Sequence, residues 1–241
     1  MTAAGNAAPD GAILVVDTAT TRVVVAVATP DGRTRTVATW DAGYRHGETL
    51  LPTIVRVLAD EGLDRPRLTG FVVGTGPGAF TGLRVGIATA KGLAHGLGRP
   101  LVGISTAEAL LAGASWLASS ADPPTTAPVG RPVLLLPAGP SDRIVVRPRA
   151  DPVLLPGGRD PDLAPGEWLV AVDLDGRAPA EALQRGEAAR ERLAEELAAL
   201  GTARLRDGRP DDLAGLVPEY VTLPRGVAGQ TGEVAWSHDR R

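Results

Sequence analysis

The stretch ILVVDTATTRVVVAVATPDGRTRTVATW, residues 13–40, decides the fold. Ile13 to Asp17 is a short apolar run that stops at the polar turn Thr18-Ala19-Thr20-Thr21. Arg22 to Thr29 resumes a β-branched run, Pro30-Asp31-Gly32 marks a turn, and Arg33 to Trp40 alternates. Three strands with short connections predict an antiparallel meander. The period then changes. Glu48 to Glu61 places Leu51, Ile54, Val55 and Leu58 at helical spacing, with Gly62 as its C-cap. Phe71 to Val73 is a short buried strand, Gly82 to Leu97 a second helix, Leu101 to Ile104 a strand, and Thr106 to Leu117 a third helix. The order βββ-αβαβα extends the meander with parallel strands.

Further along, the signal weakens. Residues 119–132 form a Pro/Thr-rich linker between a lobe at 12–118 and a smaller lobe at 133–225, and residues 1–11 and 226–241 are expected to be disordered. Val133 to Leu136, Arg143 to Arg147 and Trp168 to Val172 suggest strands. Glu187 to Leu200 suggests one helix, and Asp211 to Leu216 a short one before Pro218-Glu219-Tyr220.

Composition removes several classes of chemistry. The 241 residues hold no cysteine, which excludes disulfides, thiol catalysis and thiolate metal sites. Net charge is −3, and of 25 basic residues only Lys91 is lysine, so the chain alone is not expected to hold nucleic acid strongly. Nothing in residues 1–11 resembles a secretory leader, and no apolar stretch reaches the ~18 residues of a membrane span. The expected compartment is the cytoplasm.

Two segments invite a nucleotide. Gly74-Thr75-Gly76-Pro77-Gly78-Ala79-Phe80-Thr81-Gly82 joins a strand to a helix, where successive N–H groups could receive a phosphate. A P-loop needs Gly-Lys-Ser/Thr at that point, but Gly82 precedes Leu83-Arg84. A dinucleotide fingerprint needs an acid at the end of the next strand, and Leu101 to Ser105 has none. A glycine turn that only brings helix and sheet together fits the spacing equally. Asp17, Thr18 and Thr20, with Gly76 and Gly78, are the candidate nucleotide residues, vestigial at most. His46, His95 and His238 are too scattered for a metal site, and no serine lies in a hydrolase elbow.

Small residues make a third pattern. Gly82, Gly86, Ala90 and Ala94 fall four apart on the second helix, a ridge that admits close helix packing. The first helix is apolar on more than one face, with Leu50 and Val57 beside Leu51, Ile54 and Leu58. The expected partner interface is therefore Leu50, Ile54, Val57, Gly82, Gly86, Ala90 and Ala94.

Ile13 to Thr20, Arg45-His46-Gly47-Glu48-Thr49-Leu50-Leu51-Pro52, Gly74 to Gly86 and Ile104-Ser105-Thr106-Ala107-Glu108-Ala109-Leu110 together resemble the TsaB (YeaZ) family, densely over residues 12–115. Pro218-Glu219-Tyr220-Val221 resembles its closing segment more weakly. The family's Asp-Ala-Arg stretch is missing, with Leu136-Pro137-Ala138-Gly139 in its place. The resemblance implies an actin/Hsp70/sugar-kinase-like (RNase H-like) α/β fold with a βββαβα first lobe and a degenerate second. It implies a non-catalytic subunit in forming N6-threonylcarbamoyladenosine at position 37 of tRNAs reading ANN codons. The implied partners are the paralogue TsaD and the ATPase TsaE, with tRNA reached only through the complex and a homodimer on the same helices when alone. TsaD's Asn-His-x-x-x-His metal motif aligns with Ser105 to Leu110, where Thr106 and Leu110 replace both imidazoles, so no metal or cofactor is expected. An independent ATPase or kinase of the same fold is the competing expectation.

Overall fold

The computed structural model describes residues 11–41, 43, 46–120 and 128–221. The expected terminal segments 1–11 and 226–241, apart from Gly11, lie outside the described residues, as do 121–127 of the expected linker. The first half runs β1 (Ala12–Asp17), β2 (Arg22–Ala28), β3 (Thr34–Asp41), α1 (His46–Asp60), β4 (Leu68–Gly74), α2 (Phe80–Leu97), β5 (Leu101–Ile104) and α3 (Thr106–Ser119). Its sheet has the order β3-β2-β1-β4-β5. The first three strands are antiparallel, and β4 and β5 add in parallel.

Alternation explains why β1 and β2 read as continuous apolar runs. Leu14, Val16, Val23 and Val25 pack toward α1 and α2. Their neighbours Ile13, Val15, Val24 and Ala26 join the core on the opposite face. A strand covered on both faces has no polar side to show. Gly32, at φ +94°, closes the hairpin between β2 and β3, where Thr29 N–H donates to Arg33 O at 2.8 Å.

The second half contributes β6 (Arg131–Pro137), β7 (Arg143–Val146), β8 (Val153–Leu155), β9 (Glu167–Ala171), α4 (Ala180–Glu191) and α5 (Leu193–Arg206). Its sheet order β8-β7-β6-β9, with β9 parallel to β6, repeats the layout β3-β2-β1-β4. Among the described residues no α-helix links β8 to β9 and no fifth strand follows, so this lobe is a reduced copy of the first. The fold is actin/sugar-kinase-like.

Two expectations need correction here. The single helix expected over 187–200 is broken at Arg192 (φ −90°, ψ −5°). The pieces serve different sheets: α4 lies against β9, while α5 crosses β1, β2, β4 and β5 of the first sheet. The expected helix at 211–216 is a turn instead, because the Asp212 carboxylate accepts from the N–H groups of Ala214 (3.3 Å) and Gly215 (3.0 Å). The three-residue edge strand β8 gave no readable signal.

The segment after α5 seals one edge of the first sheet. Asp211 N–H donates to Leu101 O at 2.9 Å, and Gly103 N–H donates to the Asp211 carboxylate at 2.7 Å. Arg204 donates to Gly103 O at 2.6 Å and to Asp211 at 2.8 Å. The Asp211 backbone thus satisfies Leu101 O, and the side chains of Asp211 and Arg204 satisfy the N–H and C=O of Gly103, along the outward edge of β5. Among the described residues no helix is long and apolar enough to cross a membrane.

On the sheet, α5 lies so close that a Cβ on Gly201 would overlap the methyls of Val72. Gly201→Ala is therefore expected to lower stability by about 1–3 kcal/mol despite alanine's better helix propensity. Urea unfolding of the variant beside the parent checks this, and a stabilised variant would refute the close contact.

Candidate functional site

At the carboxyl ends of β1, β4 and β5 three loops converge, the place where open α/β sheets usually hold ligands. The carboxylate of Asp17, fully buried, accepts from Thr106 Oγ1 at 2.6 Å and from Ala19 N–H at 3.0 Å. Thr106 Oγ1 in turn accepts from Gly76 N–H at 3.1 Å. Gly74 has to be glycine, since a Cβ there would occupy the space of the Asp17 carboxylate. Thr18 Oγ1 donates to Gly82 O at 2.8 Å, and Thr20 Oγ1 to Arg22 O at 2.7 Å.

The structure does bring Asp17, Thr18, Thr20, Gly76 and Gly78 together, but the side chains of Asp17, Thr18 and Thr20 and the Gly76 N–H bond to Thr106, Ala19, Gly82 and Arg22 of the same chain. Ala79 N–H donates to Ala19 O at 2.7 Å, joining the first loop directly to the glycine loop. A Cβ on Gly78 would overlap that same carbonyl. In phosphate-binding relatives of such loops the N–H groups face an anion; here the chain's own backbone takes that place. Burial, opposed by the bonds from Thr106 and Ala19, pushes the Asp17 carboxyl up to about 6.

Residues that the sequence did not single out close the cleft from the second lobe. Asp173, at φ +58°, accepts from Thr21 N–H (2.8 Å), Thr21 Oγ1 (2.6 Å) and Arg190 (2.7 Å). Arg190 also donates to Glu187, which pairs with Arg22. Burial would raise the Glu187 carboxyl, yet Arg190 and Arg22 hold it below the ordinary glutamate value. Glu219 adds a strap: it accepts from Thr75 Oγ1 at 2.6 Å and Ser105 Oγ at 3.1 Å, while its N–H donates to Thr75 O at 2.8 Å. Tyr220 stacks near Phe80, ring centroids 5.2 Å apart, and accepts from Arg84 Nε at 2.8 Å. Glu219, Tyr220 and Val221 stand between cavities of about 900 and 820 Å³. Only the Pro-x-Tyr spacing hinted at this strap.

The expected interface residues require a correction. Leu50, Ile54, Val57, Gly82, Gly86, Ala90 and Ala94 are all buried inside the chain. The small-residue ridge faces the sheet and the β1 turn: a Cβ on Gly86 would overlap Thr18 Oγ1. Helical spacing identified a close approach correctly, but the neighbour is the protein's own sheet. Among the residues that α1 and α2 turn outward, Leu51 (49 % exposed), Val55 (66 %), Ala88 and Gly92 are apolar or small, beside the charged Glu48, Arg56 and Arg84. Thr106 and Leu110, at the places of the two imidazoles, are both buried, the first engaged with Asp17 and the second in the core.

Comparison with known proteins adds the following. The family model of TsaD, tRNA N6-adenosine threonylcarbamoyltransferase, matches residues 37–131. An uncharacterised protein of Mycobacterium leprae is 43% identical over 102 residues, 41% of this chain and 28% of that protein. The tRNA threonylcarbamoyladenosine biosynthesis protein TsaB of Escherichia coli is 38% identical over 69 residues, 29% of this chain and 30% of that one. The chain thus spans about three tenths of the length of the curated relatives it matches. YeaZ from Pseudomonas aeruginosa superposes with a TM-score of 0.65 at 21% identity, covering 88% of this chain and 100% of that one, a likeness of fold.

A carboxyl raised from 3.8 to about 6 by folding destabilises the native state once ionised. Its contribution is most favourable below pH 3.8 and is lost as pH climbs through about 6. Asp17→Asn removes that titration. The stability of the parent minus that of Asp17→Asn is expected to fall by about 2 kcal/mol between pH 4 and 7. Denaturation at a series of pH values measures the difference; a constant difference would mean that Asp17 is ionised throughout.

Proposed function

We propose that this chain belongs to the TsaB (YeaZ) family, whose named members it resembles in part, and is a non-catalytic subunit of the machinery that forms N6-threonylcarbamoyladenosine on tRNA. In this reading a TsaD-type paralogue carries the transfer chemistry and a TsaE-type ATPase joins the same assembly. The setting is the cytoplasm, and tRNA is engaged only by the complex. The observation that carries the non-catalytic role is how the loop groups are used: Ala79 N–H donates to Ala19 O at 2.7 Å and Asp17 is out of reach of water, although a cavity of about 820 Å³ borders Ala19, Gly78 and Ala79. Catalysis at such a crevice needs an acid and amide donors aimed at a substrate. These are spent within the chain. The competing ATPase or kinase reading draws on Asp17 and Thr20 alone.

A subunit without its own chemistry acts through its surface. The outward faces of α1 and α2, with Leu51, Val55, Ala88 and Gly92, are the apolar area that a paralogue would cover. Gly92 has open space where a Cβ would stand, so a partner helix can approach closely there. The buried ridge of Gly82, Gly86, Ala90 and Ala94 is unavailable for that purpose.

Modification assays with TsaD and TsaE, with and without this chain, test the role. Activity is expected only when the chain is present, and ATP turnover by the chain alone would favour the kinase reading. Two substitutions separate surface from core. Val55→Glu is expected to weaken paralogue binding about ten-fold or more, equal to about 1.4 kcal/mol, with an unchanged melting temperature. Ala90→Leu is expected to cost about 1–3 kcal/mol of folding stability instead. Calorimetric titration and thermal melting read the two effects; full binding by Val55→Glu would move the partner surface elsewhere.

A further inference from the structure

The crevice occupies the end of the first sheet where β1, β4 and β5 finish. At the opposite end, where β4 and β5 begin, three segments meet. They are the 3₁₀ turn Arg65–Arg67 before β4, the Arg99-Pro100 link between α2 and β5, and residues 206–210 after α5. Arg99 donates to Pro66 O at 3.2 Å, and Pro100 O accepts from Phe71 N–H at 2.9 Å. Asp211 N–H on Leu101 O fastens the third segment beside the second. Leu205 lies against the start of β4, where a Cβ on Gly70 would stand 3.0 Å from its Cδ1. Arg206 and Arg209 are thereby brought to the same end as Arg65, Arg67 and Arg99, and all five are exposed.

Few carboxylates answer this charge. Arg65, Arg67, Arg99 and Arg206 have no ionic partner among the described residues. Arg99 and Arg206 each spend a donor on a neutral carbonyl, that of Pro66 or Thr202. Arg209 pairs with Asp207. Asp60 and Asp64 are the exposed acids beside Arg65, while Glu61 is turned to Thr36. This end is therefore positive on a chain whose net charge is −3. A lipid surface would need apolar side chains to insert, and none of the large exposed apolar residues falls in these three segments. The segments carry no aromatic ring on which a base could stack. What they present is a set of guanidinium forks, whose geometry matches phosphate oxygens.

We propose that Arg65, Arg67, Arg99, Arg206 and Arg209 contact the phosphate backbone of the tRNA held by the assembled complex. The inference rests on the subunit role proposed above. The patch lies at the carboxyl ends of α1 and α2, continuing from the faces assigned to the paralogue, which places it beside the joint between the two subunits. Phosphate contacts position an RNA without reading its sequence, so the patch adds affinity for any tRNA alike. Four unneutralised guanidiniums on an acidic chain are too few to hold RNA tightly alone, and the contact acts together with those of the paralogue.

The complex of this chain with the TsaD-type paralogue is titrated with labelled tRNA over a series of salt concentrations. Combining Arg65→Gln, Arg67→Gln and Arg99→Gln is expected to weaken tRNA binding about ten-fold or more and to flatten the slope of log K against log salt by about 2–3. The pair Arg206→Gln and Arg209→Gln, on another segment, is expected to act in the same direction. Arg149→Gln, an exposed arginine between β7 and β8, is the control and should change neither quantity. Melting temperature and paralogue binding should stay those of the parent. Parental tRNA affinity and salt slope in both combined variants overturn the proposal. So does a loss of paralogue binding with tRNA affinity intact, which would make this a protein interface, or binding of phosphatidylglycerol vesicles through these arginines with tRNA unaffected. A complex that assembles and modifies tRNA while the variants bind it equally well defeats this contact alone; a chain that adds nothing to modification defeats the subunit role with it.

Discussion

Everything near the crevice depends on how a carboxylate without access to water is satisfied. Asp17 ends the central strand β1, and ionising it there is costly unless donors are fixed around it. Thr106 and the Ala19 N–H supply them, which draws the start of α3 and the first turn onto the same point. Gly76 then donates to Thr106, and Ala79 to Ala19, so the glycine loop is fastened at both its ends. From this knot the neighbouring small residues follow. Gly74 leaves room for the carboxylate, Gly78 for the Ala19 carbonyl, and Gly86 for Thr18 beneath α2. Thr18, the neighbour of Asp17, bonds Gly82 O and faces Gly86, and so fixes how closely the first turns of α2 approach the end of β1.

The same network explains what could be read from the sequence and what could not. From β1 to α3, elements emerged because the hydrophobic period switches cleanly between strand and helix, and because a strand covered on both faces is apolar throughout. The ridge Gly82-Gly86-Ala90-Ala94 was legible as a close contact. Periodicity defines a face but not the neighbour, and here that neighbour is Thr18 and the sheet. The break at Arg192 was hidden because Leu193 and Leu197 continue the helical spacing across it. Asp173 could not be found at all: its partner Thr21 is 152 residues away, and nothing local to Asp173 announces the bond. Glu219 is similar, 144 residues from Thr75. Second-lobe strands were faint because they are short and separated by long turns rich in glycine and proline.

A fold whose ligand crevice lies between two lobes can work by opening and closing. In this chain that freedom is restrained on two sides. Asp173, Arg190 and Glu187 tie α4 and the end of β9 to the β1–β2 turn, and the Glu219 strap lies across the opposite side. Meanwhile α5, from the later part of the chain, is packed over the first sheet through Gly201 and Val72. Such restraint accords with the proposed subunit role, since a pre-organised surface loses little freedom on association.

Arginine is the residue that makes these ties, and its geometry shows why lysine would not serve. Arg190 reaches Asp173 with one guanidinium nitrogen and Glu187 with the other. Arg204 spans Gly103 O and Asp211 in the same way, and Arg177 bonds the carbonyls of Gly139 and Asp173. Each of these side chains joins two separate segments at once, which needs a planar fork with donors aimed in different directions. An ammonium offers a single charged point on a flexible stem, and at the same sites it would hold one segment and release the other. The near-exclusion of lysine, Lys91 apart, is matched by this use of arginine as a two-armed brace between loops that have little regular structure of their own.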